Sequence, residues 1–168
     1  GYLVSKINDG EDVYCFPVAK DTIVLTDFNL KSYFGRDAAG NVVSLRSVYQ
    51  DKPMPKMAAN ELTLSELMKA GRYAEAKTEL RKMNLDASQL TYLAYETFGK
   101  KPLRLEAVKA ILEVAVEQHP NEAIVHNRWG DLYAFLNDAE NATKSFQKAA
   151  ALDPSDAYAK EMLRKLGK

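Results

Sequence analysis

Two hydrophobic spacings divide the chain. Up to about Tyr49, β-branched and aromatic residues fall in short runs separated by turn residues, whereas from Ala58 apolar positions recur every three to four residues. The first region predicts strands over residues 2–7, 13–16, 22–26, 31–36 and 42–49. Asn8-Asp9-Gly10 is the expected turn between the first two, because these residues tolerate positive φ. Asp37-Ala-Ala-Gly40-Asn41 is the expected hairpin loop before the last. In that last strand Val43, Leu45 and Ser47 share one face, and Val42, Ser44, Arg46 and Val48 the other, an alternation that fits a half-buried antiparallel strand. Pro53 and Pro55 then close the region, since proline suits neither a helix interior nor a central strand. The expected domains are residues 1–57, a small antiparallel β domain, and residues 58–168, a helical domain.

In the second region the helical period predicts helices over 58–70, 73–84, 87–98, 103–118, 121–136, 139–151 and 155–166. Thr63-Leu-Ser-Glu66 has the form of a capping box, Gly71 and Gly99 are expected stops, and Asp153-Pro154 is an expected start. The connecting loops are short, so consecutive helices are expected to pack as antiparallel hairpins. The fold class is therefore α+β, an antiparallel β segment followed by a helical array.

Charge narrows the function classes. The 168 residues hold 23 Lys plus Arg against 23 Asp plus Glu, and residues 1–57 repeat the balance with seven of each. Nucleic-acid binding draws most of its affinity from excess basic charge, so no nucleic-acid partner is expected. No apolar run approaches the roughly 20 residues needed to span a bilayer. The single cysteine, Cys15, excludes an internal disulfide and a cysteine-rich metal site. Gly1 followed by Tyr2-Leu3-Val4 reads as the start of a piece of something longer.

The helices repeat. Ala123-Ile-Val-His126-Asn127-Arg128-Trp129-Gly130-Asp131-Leu132-Tyr133, then Ala142, Phe146, Ala149 and Asp153-Pro154, resembles the tetratricopeptide repeat, with His126 in place of the usual Trp near the repeat start. In this reading Gly130 and Ala142 let two helices approach, while Trp129, Tyr133 and Phe146 fill the space between them. Gly71-Arg-Tyr73-Ala-Glu-Ala76 with Leu80 and Met83, and Tyr92, Tyr95, Ala107, Ile111 and Val114, are weaker copies. Ala76, Ala107 and Ala142 are 31 and 35 residues apart, which brackets the family period of about 34. The resemblance implies three helical hairpins, with the last helix as a solvating cap.

The β region has a likeness of its own. Phe16-Pro17-Val18, Asp27-Phe28-Asn29-Leu30 and Tyr33-Phe34-Gly35-Arg36-Asp37-Ala-Ala-Gly40-Asn41-Val42-Val43-Ser44-Leu45 are similar to the small domain of unknown function that follows many bacterial serine hydrolase domains of the β-lactamase and penicillin-binding-protein type. The resemblance implies a periplasmic or cell-envelope context, with the catalytic Ser and Lys upstream of Gly1.

Within the chain itself, chemistry is sparse. Ser145-Phe-Gln-Lys148 has the Ser-x-x-Lys form, but no Ser- or Tyr-x-Asn element or Lys-Thr-Gly strand accompanies it, so it reads as coincidence. His119 and His126 have no metal-pair spacing, and His126 is expected to pack between helices. Asp9, Glu11 and Asp12 read as an acidic hairpin tip. No catalytic residue, metal or cofactor is expected. The remaining candidate surface is the concave face of the array, where the resemblance places partner-binding residues at Glu61, Ser65, Lys69, Gln89, Glu96, Asn127, Asp131 and Phe135. The expected partner is a protein or peptide, including the hydrolase domain of the same polypeptide. The acidic Glu61 and Asp131 disfavour capture of a C-terminal carboxylate. The alternative is a small-ligand or glycan-binding β module for which the helices are scaffold.

Overall fold

The computed structural model describes residues 3–6, 12–25, 29–49, 51–56, 58 and 61–167, with residues 3–6, 12, 13 and 55 described by backbone alone. Expectations for the turn at Asn8-Asp9-Gly10, the acidic tip around Glu11 and the segment Thr26–Phe28 lie outside these residues. The chain forms two compact units, Gly1–Ser65 and Glu66–Lys168.

The first unit is an antiparallel sheet. Its strands β1 (Leu3–Lys6), β2 (Asp12–Ala19), β3 (Thr22–Leu25), β4 (Leu30–Arg36), β5 (Val42–Ser47) and β6 (Met54–Pro55) pair in sequence order. Alternation puts Cys15, Ile23 and Leu25 on one side, where they are buried against Leu30 and Phe34. The loop between β4 and β5 closes as expected: Gly40 takes φ +85°, and Asn41 N–H and Nδ2 donate to the Asp37 carboxylate at 2.8 and 3.0 Å. Those bonds hold the Asp37 carboxyl below its ordinary pKa. Burial along β5 does not alternate cleanly, because Val43 is exposed and Val42, Ser44, Leu45 and Ser47 are all half-buried. Among the described residues, the two-residue β6 alone flanks β5 on its outer side, so much of β5 is an edge. Met54–Pro55 thus forms a short edge strand, where a proline costs no central ladder bond.

Seven helices follow among the described residues: α1 (Leu64–Lys69), α2 (Tyr73–Met83), α3 (Ala87–Gly99), α4 (Leu105–Gln118), α5 (Ala123–Phe135), α6 (Ala139–Leu152) and α7 (Ala157–Lys165). α4, α5 and α7 each start two residues later than expected and α1 six residues later, and the starts of α1 and α7 have a visible cause. The first helix starts at Leu64 rather than at 58, because a tight turn precedes it: Glu61 N–H donates to Ala58 O, and Ala58 N–H donates to the Glu61 carboxylate at 2.6 Å. The last helix starts after Asp156 rather than at Asp153-Pro154. Asp153 instead accepts from Ser155 N and Oγ, and Asp156 caps α7 by accepting from Ala159 N at 3.0 Å. Gly71 ends α1 with φ +71°, in the region that glycine enters most cheaply.

The helices pack in succession. α3 packs on α4 and α5 on α6, while α2 also meets α4 and α3 meets α5. Ala76, Ala107 and Ala142 are fully buried, as are Leu80, Ile111 and Phe146 four residues after each. The rows Lys77–Glu113 and Arg81–Glu117, at 2.8 and 2.7 Å, tie α2 to α4. As exposed ion pairs they fix register more than they stabilise.

The last hairpin shows why its small residue matters. A Cβ on Gly130 would stand 2.6 Å from the Phe146 ring, so α5 and α6 approach only because Gly130 lacks one. Trp129 and Tyr133 depart from expectation. Their rings stack at 5.3 Å, and Trp129 Nε1 donates to Leu112 O, so they face α4 rather than fill the α5–α6 gap. His126 does not bridge helices either, since its Nε2–H donates to Pro120 O at 2.7 Å, just before its own helix.

Candidate binding cleft

The first helix of each later hairpin brings its side chains to one cleft of about 160 Å³ in the helical unit. Ala94 of α3, Val108 and Leu112 of α4, and Leu132 of α5 form its apolar floor. Tyr95 and Phe98 rise from α3, and Phe135 from α5. Phe98 and Phe135 meet edge to face at 4.8 Å and 84°, the arrangement favoured by the ring quadrupole. α3 is held for this by a capping box: Asp86 accepts from Gln89 N at 2.8 Å, and Gln89 Oε1 accepts from Asp86 N at 3.0 Å. Inside α3, the buried Thr91 hydroxyl donates back to Ala87 O at 2.7 Å.

Polar groups close one end of the cleft. The Arg128 guanidinium lies 5.3 Å from the Tyr95 ring centroid, and its Nη1 donates to Asp131 Oδ2 at 2.9 Å. Asp131 Oδ1 accepts from the Tyr158 hydroxyl of α7 at 2.5 Å. One turn earlier, Asn127 Nδ2 donates to Asp156 Oδ2 at 2.5 Å. Together these bonds latch α7 to α5. Arg128 and Asp131 neutralise each other, although the buried Arg128 Nε has no hydrogen-bond partner among the described residues, so the cleft offers apolar surface with a paired guanidinium at its end and little net charge.

The expected site residues take different roles. Asp131 and Phe135 line the cleft. Asn127 is buried, 8% exposed, and belongs to the latch. Gln89 is spent on its cap, and Glu96 accepts from the Tyr92 hydroxyl, which raises the Tyr92 pKa. Lys69 is exposed in the last turn of α1. Glu61 and Ser65 belong to the first compact unit, where Glu61 closes the turn before α1. Tyr95, Phe98, Arg128 and Tyr158 were not foreseen as site residues. Their signal was present in part: Tyr92, Tyr95 and Phe98 lie three apart beside the small Ala94, too many rings for a wholly buried stripe.

Elsewhere, the Ser145 hydroxyl donates to Asn141 O at 2.8 Å. No group of three metal-ligating side chains occurs among the described residues, and none of their helices is long and apolar enough to cross a membrane. A scan against protein-family models returns no match, and a search of curated proteins finds none either.

Burial, and then the bond to Asp131, pushes the Tyr158 phenol up to about 12 from its ordinary 10. A raised folded-state pKa favours the neutral phenol, so this contribution is complete below pH 10 and is lost as pH rises towards 12. Asp131→Asn should lower the Tyr158 pKa, so the alkaline loss of stability above pH 10 becomes smaller and is complete at a lower pH. An NMR titration of the tyrosine rings, with melts at each pH, measures both.

Proposed function

We propose that the helical unit is a tetratricopeptide-like array that docks a protein or peptide partner through the cleft between α3, α4 and α5. The carrying observation is the cleft itself, a concave apolar floor with Tyr95, Phe98 and Phe135 as walls on two stacked first helices. Recognition sites of this kind combine an apolar hollow with a few fixed polar groups. The neutral Arg128–Asp131 pair favours an uncharged apolar side chain as the anchor, with the exposed Tyr92 and Tyr95 flanking its backbone. The repeated burial of Ala76, Ala107 and Ala142 supports the array reading.

The chain in this reading is a non-catalytic accessory region of a larger bacterial serine hydrolase of the β-lactamase type, working in the periplasm or cell envelope. The strand and Arg36-Asp37-Ala-Ala-Gly40 turn resemblance supports that context. The coding sequence upstream of Gly1 tests it: a Ser-x-x-Lys catalytic domain there supports the context, and an unrelated domain discards it.

Docking is tested by panning a displayed random-peptide library on the full chain. Selected peptides should share one apolar anchor, and Tyr95→Ala and Phe135→Ala should each weaken their binding by about tenfold or more, the loss of a contact worth over 1 kcal/mol. Both residues are half-exposed, so melting should change little. Peptides that bind these variants as well as they bind the parent chain would sink the proposal.

A further inference from the structure

In the first unit, we propose that the sheet face bearing Tyr14, Phe16, Lys31, Tyr33 and Arg46 binds an acidic oligosaccharide. This does not rest on the reading of the helical cleft. The register assembles the face: Phe16 opposes Val24, which opposes Lys31, while Thr22 opposes Tyr33, which opposes Arg46. Because strand residues alternate, these side chains stand opposite the buried Cys15, Ile23 and Leu25. Tyr14, Phe16 and Tyr33 remain 47%, 44% and 37% exposed. Directly opposed Cβ atoms lie about 4.5–5.5 Å apart, so Arg46 stands beside Tyr33, with Lys31 two residues from Tyr33 on the same strand.

Asp12 shares the register of Tyr14 and pairs with Lys6, and from Tyr14 to the bulge at Gly35 the described strand residues on this face are uncharged or basic. Rings and cations are interleaved rather than segregated. A pyranose chain fits that mixture. Its C–H faces lie on the rings, its hydroxyls reach Thr22, and its carboxylates accept charge-assisted bonds from Lys31 and Arg46 while these stay partly solvated.

Other occupants fit less well. A packed amphipathic helix would bury both cations at a desolvation cost. A bilayer needs apolar groups reaching well below the headgroups, and these rings lie within strands rather than at loop tips. Single-stranded nucleic acid also stacks on aromatic sheets, but two cations on a chain of zero net charge neutralise few phosphates.

Calorimetric titration of the full chain with oligogalacturonate, maltooligosaccharide, a single-stranded oligodeoxynucleotide and phosphatidylglycerol vesicles tests the proposal. Oligogalacturonate should bind, and the neutral maltooligosaccharide should bind about tenfold more weakly or worse, as expected from loss of a charge-assisted bond. Tyr33→Ala and Arg46→Ala should each cost about tenfold by the same reasoning, while Tyr95→Ala in the helical unit should change nothing. If Tyr33→Ala impairs folding, Lys31→Gln and Arg46→Gln at exposed positions carry the same test. Absence of oligogalacturonate binding, indifference to these variants, or tighter binding of the oligonucleotide or vesicles would each overturn it.

Discussion

Phe146→Ala is expected to destabilise the helical unit by about 3–5 kcal/mol, the range for removing a fully buried aromatic ring. At roughly 4–8 °C per kcal/mol for a unit of this size, the melting temperature should fall by well over 10 °C. Phe146 has no exposed surface, lies against Gly130 across the α5–α6 contact, and meets Tyr158 of α7 edge to face at 6.2 Å. The more discriminating measurement is its coupling to Gly130. In the parent chain Gly130→Ala gains about 1 kcal/mol of helix propensity but forces a methyl to 2.6 Å from the ring, an overpacking worth about 1–3 kcal/mol. It should therefore be neutral to destabilising. In the Phe146→Ala background the ring is gone, the methyl enters vacated space, and the same substitution should stabilise. A double-mutant cycle by urea unfolding should show a coupling of about 1–3 kcal/mol. Additive effects would mean that the close approach of α5 and α6 is not set by this pair.

How much of this was legible in the sequence depends on the range of the interactions. The helices were written in a local period, and α2 to α7 lie within a few residues of where the spacing of Leu80, Leu90, Ile111 and Phe146 puts them. The β4–β5 turn was readable because Asp37, Gly40 and Asn41 each have a local reason to be there. The start of α1 differs from the expected one, since the 58–63 stretch has helical composition while the Glu61 bonds to Ala58 close a turn there instead. The site was half legible. Facing positions on first helices singled out Asp131 and Phe135, but polarity alone could not separate an available side chain from one already engaged. Gln89, Glu96 and Asn127 are all engaged, two by neighbours within four residues and one by a carboxylate 29 residues away. The cleft itself depends on α3 meeting α5, a tertiary contact that no local pattern encodes.

Asn127 is the clearest case, and its partner carries the second large expected effect. Asp156 serves two helices with one carboxylate: Oδ1 caps α7 and Oδ2 accepts from the Asn127 amide of α5. Asp156→Ala removes a cap worth about 1 kcal/mol and strands a buried amide, a further penalty of about 1–3 kcal/mol. Asn127 Oδ1 is already buried without a partner, so the variant would leave both ends of that amide unsatisfied. The loss should be local, because α7 is the last helix of the unit and can release while the α3–α6 packing stays intact. Hydrogen exchange should show the amides of α7 losing protection by roughly thirtyfold to a thousandfold, the equivalent of about 2–4 kcal/mol, with smaller changes in α4. Asn127→Leu in the Asp156→Ala background replaces the stranded amide by an apolar group of similar size and should recover part of that protection. Substitutions at Asn127 in the parent chain would likewise release α7, so weakened partner binding in them would report undocking of α7 rather than loss of a groove contact. Unchanged protection in α7, or a second substitution that deepens the loss, would show that the carboxylate does not act as the latch.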